Sequence, residues 1–255
     1  GILRTDKISG LETPTPVTNS VLFDGTGDYL SIASSSDFTF GTGDFTVELY
    51  VNATNFTNRG TFYDSRAVGG TTGITIGHEA STGELRVYMN ATSGSDITAQ
   101  STDFTTDTWY HVAVTRSSGT VRLFIDGILK DSGTRTSDMN NTNAVNIGYK
   151  TYDSSGYDYF SGYVSNFRIL KGTALYTSDF TVPVHALEVI GDTVLLCCNN
   201  PDSAGADGTG KTITANGNAA ASTVSPGLTR DFTSGTEFSG VTVFDTQGYF
   251  VPPSG

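Results

Sequence analysis

The amino-acid sequence predicts an all-β protein, a two-sheet antiparallel jelly-roll sandwich. Short segments of alternating apolar and polar residues recur along most of the chain, at the two-residue period that gives a strand one buried face. Thirty of the 255 residues are glycine, scattered without a collagen-like period, as a chain that reverses often requires. Long stretches of helical period are lacking, which excludes a doubly wound α/β fold. Strands with one apolar face each must bury those faces against a second sheet.

The first twenty residues, GILRTDKISGLETPTPVTNS, contain Pro14 and Pro16 and read as an extended arm, 1–20, because proline cannot donate to a sheet ladder. Ile2, Leu3 and Ile8 would let the arm dock on a partner; a frayed terminus is the alternative. The strands begin with VLFDG and YLSIA. DFTVELYVN then sets Phe45, Val47, Leu49 and Val51 against Thr46, Glu48, Tyr50 and Asn52, the pattern of a half-buried strand. GITIGHE, ELRVYMN (Leu85, Val87 and Met89 inward) and DITAQ follow. WYHVAVTR opposes Tyr110, Val112 and Val114 to Trp109, His111 and Ala113. VRLFIDGILK turns Val121, Leu123 and Ile125 inward before Asp126-Gly127, a dipeptide suited to a tight hairpin whose two arms pair directly. AVNIGYK, FSGYVSNFRIL, DTVLLCC and KTITANG bring the total to roughly a dozen strands. Ala186 to Ile190 briefly suggests a helix, and a short turn or strand explains it equally well. PDSAGADGTG reads as a flexible acidic loop and Asn216-Gly217 as a turn. The sandwich therefore spans 21–226. The remaining tail, 227–255, carries Phe232, Phe238, Val241, Val243, Phe244, Tyr249 and Phe250. It is too apolar for a solvated coil and too short for its own core, so it is expected to dock on the sandwich or, preferably, on a neighbouring subunit.

Composition narrows the function classes. With 14 Lys and Arg against 26 Asp and Glu, the net charge is −12, and the average surface repels nucleic acid and anionic membrane. The one basic stretch, Arg116 to Arg122, alternates as a strand does. No signal-like run opens the sequence and no stretch of 18 apolar residues occurs, so membrane insertion is not expected. The two cysteines, Cys197 and Cys198, are adjacent. On a strand they would point to opposite faces, one into the core and one away, which disfavours a disulfide between them. Acceptor patterns for N-glycosylation start at Asn52, Asn55, Asn90 and Asn140, as chance provides in a chain this rich in Asn and Thr.

Four strings in order, VLFDGTGDYLSI, FTVELYVN, TWYHVAVTR and VRLFIDGILKDSG, resemble the laminin-G-like branch of the concanavalin A-like lectin and glucanase superfamily. The resemblance extends from Val21 to about Pro226 and implies a concanavalin A-like jelly roll with one concave face. A narrower resemblance, carried by FSGYVSNFRILKGTALYTSDFTVP and the following VLLCC, is to laminin-G-like domains in virion proteins of marine tailed phages. It implies a structural protein on the exposed surface of a virion, a capsid decoration or a tail or fibre component. Its partners would be other virion proteins, further copies of itself and host-surface glycan. An adhesin module that binds carbohydrate is the alternative, and a polysaccharide-active enzyme a third.

The site residues follow from chemistry. Glycosidases of this superfamily carry paired carboxylates alternating on one strand, because a retaining mechanism needs them close together. No Glu-x-Asp-x-Glu pattern occurs here: Glu48 stands alone in its strand and Glu79 and Glu84 flank a turn, so no enzyme is expected. His78, His111 and His185 lie within neither a triad motif nor a zinc spacing, and His111 reads as half-exposed structural packing. No cofactor is required. Calcium is the one candidate ion, since relatives hold it through loop carboxylates; Asp24, Asp28, Asp37 and Asp44 near turns, with Asp153 and Asp158, are the oxygen donors on offer. The loop containing Tyr152, Asp153, Tyr157, Asp158 and Tyr159 mixes rings that stack on sugar faces with carboxylates that accept hydroxyls, a composition that suits glycan or protein contact alike. Tyr63, Asp64 and Arg66 would form a second rim.

Overall fold

A computed structural model describes residues 16–66, 72–89, 96–140, 143–150 and 158–227. Among them are fifteen strands. In chain order the first seven are β1 (Ser20–Asp24), β2 (Tyr29–Ile32), β3 (Phe45–Ala53), β4 (Gly60–Asp64), β5 (Ile74–His78), β6 (Leu85–Met89) and β7 (Ile97–Ala99). The next four are β8 (Tyr110–Ser117), β9 (Thr120–Ile125), β10 (Ile128–Thr134) and β11 (Val145–Ile147). The last four are β12 (Ser161–Lys171), β13 (Thr193–Cys197), β14 (Ile213–Asn216) and β15 (Ala220–Ser222). The described helix is limited to one 3-10 turn, Ser36–Phe38, capped by the Ser35 hydroxyl. No described helix is long and apolar enough to cross a membrane.

Every described pairing is antiparallel, and the strands form two sheets. One runs β10-β9-β8-β3-β12-β1-β15, with β13 also on β12; the other runs β14-β2-β11-β4-β5-β6-β7. The core between them is one continuous cluster in which the inward residues of β3, Phe45, Val47, Leu49 and Val51, meet those of β5 and β6, Ile74, Ile76, Leu85 and Val87. These are the positions that the two-residue period selects. The turn Asp126-Gly127 joins β9 and β10 with φ of 49° and 78°, the left-handed pair that matches strand twist in a two-residue hairpin. Val17 is already buried ahead of β1. The docking residues expected in the arm (Ile2, Leu3, Ile8) and in the tail (Phe232, Phe238, Phe244, Tyr249, Phe250) lie outside the described residues.

Alternation fails where a further layer covers a strand. All nine residues of β3 are buried, including Thr46, Glu48, Tyr50 and Asn52. The cause is a non-regular strap, 172–190, laid across the outer face of the eight-stranded sheet. Thr46 Oγ1 donates to Thr173 O (2.9 Å), Thr115 Oγ1 to Tyr176 O (2.7 Å) and the Tyr50 hydroxyl to Pro183 O. The strap also caps the β9–β10 hairpin, with Phe180 N donating to Gly127 O at 2.9 Å. Segment 186–190 belongs to this strap and is not helical.

Beneath the strap lies an ionic cluster. Glu48, fully buried, accepts from Arg168 Nε (2.8 Å) and the Tyr176 hydroxyl (2.9 Å), and its second oxygen lies 3.2 Å from His111 Nε2. Burial opposes the charge on Glu48, but hydrogen bonding and charge from His111, with the Arg168 guanidinium, hold its carboxyl below the usual range. His111 is thus a buried member of this cluster and not half-exposed packing. The register of β12 slips against β3 between Ser165 and Arg168, and Asn166 takes φ of 49°. That bulge aims Arg168 at Glu48 while Phe167 stays in the core.

Two smaller expectations change as well. Cys198 follows β13 with φ of 62°, so it leaves the alternation, and both thiols lie in the core with Sγ atoms 3.7 Å apart. The segment 201–210 is organised by Asp207, whose carboxylate accepts from the backbone nitrogens of Leu196 (2.9 Å), Thr209 (3.0 Å) and Lys211 (2.7 Å). Arg116 is fully buried and donates to the carbonyls of Gly41 (2.8 Å) and Gly43 (2.7 Å), which makes it a structural tie inside the fold.

Candidate functional site

The opposite sheet carries a cleft on its outer face. On β6, Leu85, Val87 and Met89 point into the core, which leaves Arg86 and Tyr88 outward. Thr75 and Gly77 of β5 alternate outward between Ile74, Ile76 and His78. On β4 the register shifts between Thr61 and Tyr63, and this bulge sends both Phe62 and Tyr63 into the core while Thr61 and Asp64 pair with outward residues of β5. The outward groups, with Arg59, Glu79, Arg66, Lys150 and Asp158, enclose about 290 Å³.

Ion pairs fix the walls. Glu79 accepts from Arg59 Nε at 2.8 Å and from the Tyr88 hydroxyl, and Arg86 Nε stands 3.6 Å away. Although burial raises it, the hydrogen bond from Tyr88 and the charges of Arg59 and Arg86 leave the Glu79 carboxyl below its ordinary value. Burial and the bond to Glu79 push the Tyr88 hydroxyl up to about 12. Asp158 pairs with Lys150, both largely buried. Arg66 Nε meets Asp64 at 3.0 Å, and Asp64 also accepts from the Thr75 hydroxyl. Arg86 Nε is buried and makes no hydrogen bond among the described residues.

The residues expected from the sequence divide. Arg66 and Asp158 do line the cleft, and Asp64 lies beneath as the partner of Arg66. Tyr63 does not form a rim: the β4 bulge buries it completely, against Phe167. Tyr159 faces a neighbouring cleft, stacked on Tyr149 at 4.5 Å between ring centroids. Tyr152, Asp153 and Tyr157 lie outside the described residues. The sequence alone does not single out Arg59, Arg86, Tyr88 and Lys150, and Glu79 stands out there only as a carboxylate flanking a turn. The polar face of ELRVYMN, which alternates cleanly, was the signal for Arg86 and Tyr88.

The described calcium candidates are occupied with backbone nitrogens or with lysine side chains. Asp28 accepts from Asp24 N (3.0 Å) and Asn218 N (2.7 Å), and Asp24 from Thr26 N (2.7 Å). Asp37 pairs with Lys211, Asp44 accepts from Ser118 N (2.8 Å), and Asp158 is taken by Lys150. Asp153 is not described. Among the described residues, no three His, Cys, Asp or Glu side chains stand together as a ligand set.

Residues 24–177, more than half of the chain, match the family model described as the concanavalin A-like lectin/glucanases superfamily. A search of curated protein sequences gave no significant match. Among solved structures, a proposed carbohydrate-binding protein from Bacteroides ovatus superimposes with a TM-score of 0.64 at 19% identity, over 84% of this chain and 62% of that one. The chain thus spans less than two thirds of that protein's length. The heptameric SAP-like pentraxin of Limulus polyphemus superimposes with a TM-score of 0.50 at 14% identity, over 78% of this chain and 95% of the pentraxin. At these identities the likeness is one of fold.

Proposed function

Because the chain belongs to the concanavalin A-like lectin/glucanases superfamily, we propose that it is a non-enzymatic carbohydrate-binding domain whose site is the cleft over β4, β5 and β6. The observation that carries this reading is the lining of that cleft: the Tyr88 ring, the guanidinium groups of Arg66 and Arg86, and the carboxylates of Glu79 and Asp158 around about 290 Å³. A sugar hydroxyl both donates and accepts, so it can use donors and acceptors that ion pairs already hold in place, while a ring offers its face to C–H groups. The four cations of the cleft, Arg59, Arg66, Arg86 and Lys150, are nearly balanced by Glu79 and Asp158 in the lining and by Asp64, Glu84 and Asp96 as their partners. That balance favours a neutral glycan over a strongly charged one. The fold shared with a proposed carbohydrate-binding protein is in keeping with this reading.

Binding without hydrolysis is supported by the two carboxylates that line the cleft, although burial raises Asp96, which pairs with Arg86. A glycosidase acid must keep its proton near neutral pH, which needs a raised pKa, whereas Glu79 is held in the opposite direction and Asp158 is ion-paired. For the setting, we place the domain on a virion surface in a homo-oligomer, as a capsid decoration or a tail or fibre component. The support is the string FSGYVSNFRILKGTALYTSDFTVP, which spans all of β12 and the first part of the strap; detection of the protein in purified particles is its test.

The binding reading is tested on an array of neutral polysaccharides and oligosaccharides. The wild-type chain is expected to be retained on a subset, and Arg86→Ala and Asp158→Asn, each verified as folded, to weaken retention about tenfold or more, the cost of one charge-assisted hydrogen bond. No retention by the wild type, or retention unchanged in both variants, would overturn the assignment.

A further inference from the structure

The cleft has a neighbour. His78 lines both the first cleft and a second one of about 230 Å³, so the two share a wall. The successive residues Asp158 and Tyr159 contribute one side chain to each. The second cleft is lined by Asn55, Thr57 and Asn58 from the loop between β3 and β4, and by Asp24 and Ser161. Its parts are held in place: Asn55 Nδ2 donates to Ser161 Oγ (3.1 Å), Thr57 N donates to Asn55 Oδ1 (3.1 Å), and Tyr159 stacks on Tyr149 with an interplanar angle of 20°. Tyr29 closes on both rings, at 5.2 Å from Tyr149 and 6.3 Å from Tyr159, so the aromatic end is a packed group of three.

Size and composition decide what such a pair can take. The first cleft lies at the lower edge of the roughly 300–1,000 Å³ typical of ligand pockets, and the two adjoining clefts together fall well inside it. The first is rich in ion pairs and the second in amides and hydroxyls with an aromatic end, a succession that hydroxyl-bearing rings fit along their length. We infer that the two clefts are consecutive subsites for one linear oligosaccharide, with the shared wall at His78 and the Asp158–Tyr159 step between them. This inference rests on the carbohydrate-binding reading above and adds that chain length, beyond one or two sugars, is what the protein recognises.

The test is calorimetric titration of the full chain with soluble ladders of gluco-, xylo-, manno-, arabino- and chito-oligosaccharides of increasing length from the monosaccharide. Affinity is expected to rise at least tenfold between the shortest bound member and those long enough to reach Tyr159. Tyr159→Ala, and independently Asn58→Ala at an exposed position, should collapse the ratio of long-chain to short-chain affinity toward one. Arg86→Ala should weaken all lengths and preserve the ratio. Affinity that is flat with length, or a ratio unmoved by both Tyr159→Ala and Asn58→Ala, overturns the inference while the first cleft stands. Failure of every ladder to bind overturns the carbohydrate reading and the inference with it.

Discussion

His78 provides a stability prediction with a definite sign. Its ring lies against Phe56, Phe62, Phe104 and Phe160, its residue is 4% exposed, and its Nε2 has no hydrogen-bond partner among the described residues. Burial lowers its pKa from 6.5 to about 4, against a smaller opposing contribution from the carbonyl and charge of Glu79. The folded state therefore resists protonation that the unfolded state accepts. Stability from this residue is complete above pH 6.5, falls as pH drops through the window down to about 4, and changes no further below it. Linkage across that difference gives a total of about 3 kcal/mol and about 1 kcal/mol by pH 5.5, where most carboxylates remain ionised. Urea denaturation at pH 7.5 and 5.5 of wild type and His78→Leu measures it. The wild type should lose about 1 kcal/mol more than the variant on acidification. Equal losses would show that His78 is not buried and neutral in the folded protein.

Other consequences follow from the strap and the core. Glu48→Gln leaves Arg168 buried without its counter-charge and should cost about 3 kcal/mol in urea denaturation at neutral pH; a loss under about 1 kcal/mol would contradict the cluster. Since Glu48 is held below its ordinary pKa, its contribution is present above about pH 4.5 and is lost as pH falls through the lower folded value. Gly127→Val puts a side chain where φ is 78° and a Cβ would fall 2.0 Å from Phe180 O. It should lower stability by about 2 kcal/mol or more and expose the strap to protease, and normal stability would refute the strap contact. Both thiols are buried and burial pushes the Cys197 thiol up, so neither should react with a thiol reagent until the protein unfolds, when both should; stoichiometric labelling of the native chain would contradict their placement.

The sheets were legible in the sequence because local alternation records which face of a strand is dry. Leu85, Val87 and Met89 needed no information from elsewhere in the chain, and neither did the turn at Asp126-Gly127. What failed did so for non-local reasons. Glu48 and Tyr50 look solvent-facing until a strap more than 120 residues later covers them. Tyr63 looks like a rim residue until a one-residue bulge reverses the parity of β4. Cys198 breaks alternation because one left-handed φ follows the strand end. The candidate site was half legible for a related reason. Asp158 and Arg66 stood out by local composition, but Arg59, Glu79, Arg86 and Lys150 form a site only through the pairing of β4 with β5 and β5 with β6 and through the Lys150–Asp158 contact, none of which a linear pattern records.

The most direct measurement is a crystal structure of the full chain with an oligosaccharide retained on the array. The account predicts sugar oxygens within hydrogen-bonding distance of Arg86 and Asp158, and a ring against Tyr88, on the outer face of β4, β5 and β6. A glycan bound instead on the strap side, or at an edge away from that cleft, would contradict it.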